Sequence, residues 1–305
     1  DEAGRGPLAG PVVSSAVILP QDVELPEVTD SKKISEKKRE RLYDEIYDTA
    51  LAVGVGVIHE EVIDEKNVLE ATYQAMRQSV GQLSIKPDIL LVDGNKADIK
   101  HYEQESIING DQKSLSIAAA SIIAKVTRDR MMRQYDIVFP EYGFAKHKGY
   151  GTKQHMEAII SRKASPIHRK SFNPVSQHLP SFAYIKRNRL IEKLGEQLVA
   201  CKMIRSGYEI LETNYNVAKV GEIDIISRDE GMLVFTEVKT QTAGHGWGEP
   251  RTQIDEKKSD RIMNAVQHYM DVNELDCEFR FDVGEVVLGK EKPEISILEE
   301  ALSVY

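Results

Sequence analysis

The chain has 305 residues, a net charge of −9, and 41% hydrophobic against 29% charged residues. That length suits two domains, each long enough to bury its own core. No apolar run approaches the roughly 20 residues of a membrane span. The only two cysteines, Cys201 and Cys277, have no metal-ligand spacing, which argues against a structural zinc site or a disulfide scaffold and predicts a reducing, cytoplasmic setting.

The negative charge is uneven: residues 181–305 carry roughly −7, and residues 100–180 are net basic by roughly six. Lys125, Arg128, Arg130, Arg133, Lys146, Lys148, Lys153, Arg162, Lys163, Arg169 and Lys170 lie in that basic stretch. They predict a local basic face able to hold phosphates.

The chain opens on Asp1-Glu2-Ala3-Gly4-Arg5-Gly6-Pro7. Neighbouring strand residues point to opposite faces, so the two carboxylates share a site only if the backbone turns there, as Gly4 and Gly6 permit. With Arg5 beside them they suit a divalent metal and a phosphate; they equally suit a charged terminus followed by a turn. Val12–Leu19 reads as a strand and Gln21–Lys33 as a polar loop. Ser35 caps a helix over Glu36–Ala50 with Leu42 and Ile46 on one face. Leu51–His59 alternates like a strand. Helical patterns cover Glu60–Lys66 and Val68–Gln82. Asp88–Val92 is a short buried strand ending at Asp93-Gly94. A long helix is predicted over Ser116–Val138, a basic loop over Lys146–Gly151, a helix over Thr152–Ser161, and irregular chain over Pro166–Pro180, where the domain boundary falls. Ser181–Ser206 reads as one helix. Strands follow near Glu209–Asn216, Glu222–Ser227 and Leu233–Thr240. Then come a helix over Asp255–Val272 and strands near Cys277–Leu288 and Glu294–Leu298. Both halves mix strands and helices, an α/β organisation of domains 1–180 and 181–305.

Four acidic residues of the first half occupy places where side chains converge: Asp1, Glu2, Asp93 at a strand end, and Asp111 before the long helix. For Asp93 alone, an Asp-Gly turn explains the pattern equally. DEAGRGPLAGPV at the start, TDSKKIS at Thr29–Ser35, LVDGN at Leu91–Asn95, AASIIAKVTRDR at Ala119–Arg130 and YGFAKHKGYGT at Tyr142–Thr152 together resemble ribonuclease HII over about residues 1–178. The resemblance implies a ribonuclease H-like mixed sheet with flanking helices. It implies endonucleolytic cleavage of RNA in RNA–DNA hybrids, and of duplex DNA carrying single ribonucleotides, by a domain acting as a monomer. It implies that Asp1, Glu2, Asp93 and Asp111 hold two Mn²⁺ or Mg²⁺ ions about 4 Å apart, oxygen ligands that suit those ions. Asp129 is set aside because the family's residue precedes the AAS block. His59 and His101 are bystanders. The resemblance further sets Gly4, Arg5 and Gly6 against a ribonucleotide 2′-OH and Tyr150 against the next sugar, although Tyr150 also reads as a surface residue packing on its own loop. Lys32 and Lys33 read as phosphate ligands or as a solvated charge run, and Lys37-Lys38-Arg39 as a solvated helix face. In that family a short apolar strand precedes the Asp-Glu pair. The natural chain is therefore expected to start several residues earlier; beginning at Asp1, it is expected to fray there, with an α-amino group that repels metal and impairs activity.

In the second half Glu222 and Asp224 share one strand face, and Glu237 and Lys239 share a face of the next strand. Asp…Glu-x-Lys is the arrangement of restriction-endonuclease-like nucleases, though surface strands often alternate charge. Arg189, Gly195-Glu196, GEIDII at Gly221–Ile226, VFTEVKT at Val234–Thr240, and Lys257 and Lys258 on the next helix resemble the YraN-like family of endonuclease-fold proteins. That resemblance implies a site of Glu196, Asp224, Glu237 and Lys239. Two readings stay open for this domain: a metal-dependent DNA endonuclease, or a non-catalytic module that binds nucleic acid or a partner. A scaffold in which both acidic sites have decayed is the alternative for the whole chain.

Overall fold

The computed structural model describes residues 1–95, 99–242, 256–289 and 292–301. The chain divides into two compact units, one of residues 1–133 with 143–179 and one of residues 134–142 with 180–305.

In the first unit β1 (Glu2–Ala3), β2 (Val12–Ile18) and β3 (Ala52–Ile58) form an antiparallel sheet in that order, and β4 (Ile89–Asp93) pairs in parallel with β5 (Glu103–Ile107). The β-branched run of β2 predicts its strand. Ser35 caps α1 (Glu36–Thr49) by accepting a hydrogen bond from the Lys38 amide, and Leu42 and Ile46 are the buried face, as expected. Next come α2 (Glu60–Lys66), α3 (Val68–Gly81) and α4 (Leu115–Val138). A Cβ at Gly54 or Gly56 of β3 would stand 2.0 Å from a carbonyl oxygen of α3, so these glycines let helix and strand touch backbone to backbone. The alanine run of α4 packs on Leu42 and Ile46 of α1 with Ile122, Ile123 and Val126. Met76 and Val80 of α3 cover Leu90 and Val92 of β4. A cavity of about 340 Å³ lies between β2 and β4, lined mainly by apolar side chains, with Asp1 at its wall. A short α5 (Phe144–His147) occupies the start of the expected basic loop, and α6 (Lys153–Arg162) follows.

Three expectations are corrected. β5 was not anticipated: its sequence, EQESI, carries no apolar alternation because its side chains are exposed or half-buried. Asp1 is not frayed. Its carbonyl accepts hydrogen bonds from the Ser15 amide at 3.0 Å and from Ser14 Oγ at 2.9 Å, which pin it to β2. The helix expected over Ser181–Ser206 is two, α7 (Phe182–Arg187) and α8 (Ile191–Arg205). The Asn188 side chain bonds back to the Tyr184 carbonyl, and Arg189 takes a left-handed φ of 55°, which ends the first helix.

In the second unit β6 (Glu209–Val217), β7 (Gly221–Asp229), β8 (Met232–Thr242), β9 (Phe279–Leu288) and β10 (Glu294–Leu298) form one sheet in the order β10-β9-β8-β7-β6. All neighbours are antiparallel except β8 and β9. That parallel pair requires a crossover, and α9 (Glu256–Val272) lies between the two in sequence. Ile262, Ala265, Val266 and Tyr269 of α9 pack on Ile223, Phe235 and Phe281.

Candidate active sites

The turn between β1 and β2 is shaped from below by two buried arginines. Arg128 of α4 donates to the carbonyls of Pro11 (2.9 Å), Lys148 (2.9 Å) and Ala9 (3.0 Å). Arg169 donates to the carbonyls of Arg5 (2.8 Å), Gly10 (3.0 and 3.1 Å), Pro11 (3.3 Å) and Gly4. Burial pushes Arg128 down to about 10 and Arg169 to about 9, so both stay cationic at neutral pH and their charge is met by carbonyl dipoles. Gly4 is buried at φ 98°, while Arg5 and Gly6 are exposed. The ring of Tyr150, 45% exposed, comes within 3.8 Å of where a Gly6 side chain would start. The turn and Tyr150 thus share one surface.

The carboxylates gather beside this turn. Glu2 lies on β1 opposite Ser14, with Arg5 Nη1 3.3 Å from its Oε1. Asp93 ends β4, and its Oδ1 accepts the Gly110 amide at 2.6 Å. That bond draws in the 3₁₀ turn Gly110–Gln112, which carries Asp111. Burial first, then the carboxylates of Asp30 and Asp93, hold the Asp111 carboxyl above the usual range, and Lys32 opposes them. The Asp1 backbone nitrogen lies within electrostatic reach of the Glu2 and Asp93 carboxylates. Among the described residues, no three acidic, imidazole or thiol groups close around one point as they stand. The donor set is nonetheless all carboxylate oxygen, and a buried acid raised by like charges is relieved by a hard divalent cation; these residues fit one.

Sequence reasoning missed Asp30. It is buried, accepts the Lys32 amide at 2.9 Å, and its carboxylate helps to raise Asp111. It lies in the TDSKKIS block, where the paired lysines are the more conspicuous charges. Asp129 sits in a buried ion pair, 2.7 Å from Lys125 Nζ. Arg39 is corrected: it is half-buried and donates to the carbonyls of Ser31 (2.8 Å) and Ile34 (2.6 Å), bracing the loop that carries Lys32. The expected basic face is corrected too. Arg128 and Arg169 are buried on carbonyls, Lys148 is buried, and Arg130 and Arg133 pair with Glu40. Lys146, Lys153, Arg162 and Lys170 are the exposed members of that group.

In the second unit Asp224 and Glu237 stand on adjacent strands, one step beyond the Ile225–Thr236 pair. Asp224 Oδ2 accepts the Val238 amide at 2.6 Å. Burial and then the Glu237 carboxylate push Asp224 up to about 7. Lys258 of α9 pairs with the buried Glu237. Lys239 is pushed down by burial and by Lys258. Glu196 of α8 is raised by burial, with Glu192 and Glu222 adding like charge. Asp224 thus lies within electrostatic reach of Glu196, Glu237 and Lys258, and Lys239 within reach of Glu237 and Lys258. The Lys257 side chain lies outside the described residues.

The ribonuclease HII family profile matches residues 1–175, and that of "Uncharacterised protein family UPF0102" matches residues 195–286. A ribonuclease HII of Acetivibrio thermocellus is 59% identical over 172 residues, 56% of this chain and 67% of that protein. One of Geobacter metallireducens is 58% identical over 179 residues, 59% of this chain and 84% of that protein. The crystal structure of the ribonuclease H2 from Pyrococcus horikoshii covers 62% of this chain and 96% of its own at 28% identity and a TM-score of 0.51. The ribonuclease HII in a PCNA complex from Archaeoglobus fulgidus covers 57% and 93% at 28% identity and a TM-score of 0.50. The first unit has the ribonuclease H-like fold of these neighbours. The mixed five-stranded sheet of the second, with its α9 crossover, is consistent with a restriction-endonuclease-like fold.

Proposed function

The chain belongs to the ribonuclease HII family, and on that premise we propose that it cuts RNA strands in RNA–DNA hybrids, and duplex DNA at single ribonucleotides, internally and as a monomer. It is a metal-dependent ribonuclease, a phosphodiester hydrolase. The observation that carries the site is the Asp93–Gly110 bond, which brings the Asp111 turn to the strand end beside Asp1 and Glu2. Asp1, Glu2, Asp93 and Asp111 would hold two Mn²⁺ or Mg²⁺ ions, with Asp30 as a neighbour that tunes Asp111. Bound there, such ions supply an activated water and charge stabilisation at the leaving 3′ oxygen.

The remaining roles belong to the chain itself. The Gly4-Arg5-Gly6 turn, fixed by Arg128 and Arg169, presents bare backbone to the 2′-OH. Tyr150 stacks on the sugar beyond it, and Lys32 meets a phosphate. Cleavage of duplex DNA holding one ribonucleotide, compared with Asp93→Asn, tests the assignment. Equal cutting by both proteins would falsify it.

For the domain of residues 181–305, beside the ribonuclease domain of residues 1–180, we propose metal-dependent DNA endonuclease chemistry at Asp224 and Glu237, with Lys239 at the scissile phosphate and Glu196 adding a carboxylate. A second reading, a non-catalytic module for nucleic acid or a partner, is favoured by the Lys258–Glu237 ion pair, which occupies a carboxylate that a metal needs. Mn²⁺-dependent cutting of branched all-DNA substrates by the full chain carrying Asp93→Asn separates them. Cutting that Glu237→Ala abolishes supports the nuclease; no cutting at all leaves the binding module. None of the described helices is long and apolar enough to cross a membrane. With neither Cys201 nor Cys277 in a disulfide, we place this work in the cytoplasm.

A further inference from the structure

Three histidines lie beneath the loop that carries Tyr150, and neither catalysis nor substrate contact uses them. His147, His155 and His168 are buried around Phe144. His147 and His155 stack at 4.5 Å between ring centroids.

The hydrogen bonds of two of these rings leave no freedom of tautomer. His155 Nδ1 lies 2.9 Å from the Tyr150 carbonyl. A carbonyl only accepts, so Nδ1 carries the proton. At the other end the Ser165 amide lies 3.0 Å and the Ser165 hydroxyl 2.7 Å from His168 Nδ1. A backbone amide only donates, so that nitrogen is bare. Burial pushes His155 down to about 4 and His168 to about 3, so both rings are neutral near pH 7. His155 Nε2 is therefore bare, His168 Nε2 is protonated, and the 2.9 Å contact between them is a hydrogen bond from His168 to His155. The bonds along this path run one way, from the Ser165 amide to the Tyr150 carbonyl. A second proton on either ring would set two N–H groups against each other.

Both ends of this chain belong to the substrate surface. His168 bridges Ala9 in the turn after Gly6, with the Gly10 amide on the Ile167 carbonyl and the Arg169 amide on the Leu8 carbonyl, each at 2.9 Å. The Leu8 amide in turn reaches the Gly149 carbonyl at 2.8 Å, next to Tyr150. The Tyr150 carbonyl accepts one other bond, from the Thr152 amide at 2.8 Å.

We propose that His155 and His168 are positioning residues: their one-way chain of hydrogen bonds sets the height of Tyr150 over the Gly4–Gly6 turn, and with it the preference for a lone ribonucleotide over continuous RNA. The proposal rests on the reading that Tyr150 meets the sugar beyond the ribonucleotide.

The test measures kcat and KM on duplex DNA holding one ribonucleotide and on an all-RNA strand in a hybrid. The proteins are the full chain, Tyr150→Ala, His155→Leu and His155→Asn, the last because an Asn amide can replace the lost Nδ1–H. Tyr150→Ala and His155→Leu should each lower the ratio of kcat/KM, lone ribonucleotide over all-RNA, by at least about fivefold, the worth of one hydrogen bond, with the loss in KM. His155→Asn should recover most of it. A ratio untouched by Tyr150→Ala overturns the Tyr150 reading and the proposal together. A ratio lowered by Tyr150→Ala but untouched by His155→Leu overturns the proposal alone. Equal behaviour of the Leu and Asn variants, or a parallel loss on both substrates, also overturns it. Ring ¹⁵N shifts of the unmodified protein give a reading that no folding failure can obscure. They should report neutral Nδ1–H at His155 and neutral Nε2–H at His168 from pH 8 to pH 5. The opposite tautomer, or titration near the ordinary value of about 6.5, sinks the relay.

Discussion

Gly4 and Gly6 flank the same arginine, yet the structure predicts opposite consequences for replacing them with alanine. A Cβ on Gly4 would lie 2.2 Å from Arg128 Nε, 2.5 Å from its Cδ and 2.6 Å from the Pro11 carbonyl oxygen, at a φ of 98°. The left-handed conformation costs about 1–2 kcal/mol for a residue with a side chain. Overpacking a site that cannot yield adds about 1–3 kcal/mol, and Arg128 cannot retreat without loosening its bonds to three carbonyls. A total of about 4 kcal/mol should lower the melting temperature of a unit this size by roughly 8–16 °C. A Cβ on Gly6 meets only the Tyr150 ring, at 3.8 Å, an ordinary contact. Gly6→Ala should therefore melt within about 2 °C of the parent. Its methyl group stands on the exposed surface assigned to the 2′-OH, so cutting at a lone ribonucleotide should fall about tenfold or more, a loss of roughly 1.4 kcal/mol in the barrier. Calorimetry of the full chain resolves the transition of the first unit, and the cleavage assay is run on the same samples. If Gly4→Ala melts like the parent, or if Gly6→Ala destabilises as much as Gly4→Ala, the reasoning fails.

Arg169→Lys keeps the charge but loses the planar fork that reaches four carbonyls. It should cost about 3 kcal/mol, read as a lower urea midpoint; an unchanged midpoint would show that the fork is dispensable. Asp224 is raised to about 7 in the folded chain, against about 3.9 unfolded. The stability that its protonated form contributes is fully present below the unfolded value and is lost as pH rises to about 7. The transition of the second unit should decline over that window, and Asp224→Asn should flatten the decline; identical pH profiles for the two proteins would refute the assignment. Asp93→Asn can still accept the Gly110 amide, so its melting temperature should stay within about 3 °C while cleavage drops at least about 100-fold. Collapse of the fold in that variant would contradict the account of Asp93.

Much of the architecture is legible in the residues. Ser35 and Thr152 cap α1 and α6 through side-chain oxygens, and the β-branched runs of β2 and β8 read directly as strands. What escapes is whatever depends on distant partners. β5 has no apolar face to display. The break at Asn188–Leu190 has neither glycine nor proline to signal it. Each acidic residue of the first unit can be named from its surroundings, but the bond that brings Asp111 to Asp93 spans 17 residues, and no local pattern encodes it. The arginines were the most misleading. By composition Arg128 and Arg169 count as surface charge for phosphate, yet they are the largest fully buried side chains. Apart from Lys148, their carbonyl partners lie 117 to 165 residues away. A backbone turn that offers carbonyls to a guanidinium leaves no mark on a sequence.

That long reach orders events during synthesis. The turn at residues 4–11 leaves the ribosome well before the guanidinium that gathers the carbonyls of Gly4, Arg5, Gly10 and Pro11, which is at position 169. At about 5–20 residues per second, the turn waits roughly 10–30 s for its second clamp. A nascent chain, or a fragment clipped before Arg169, has only the Arg128 bonds to hold that turn. The turn thus gains its last side-chain bonds only when nearly all of the first unit has been made.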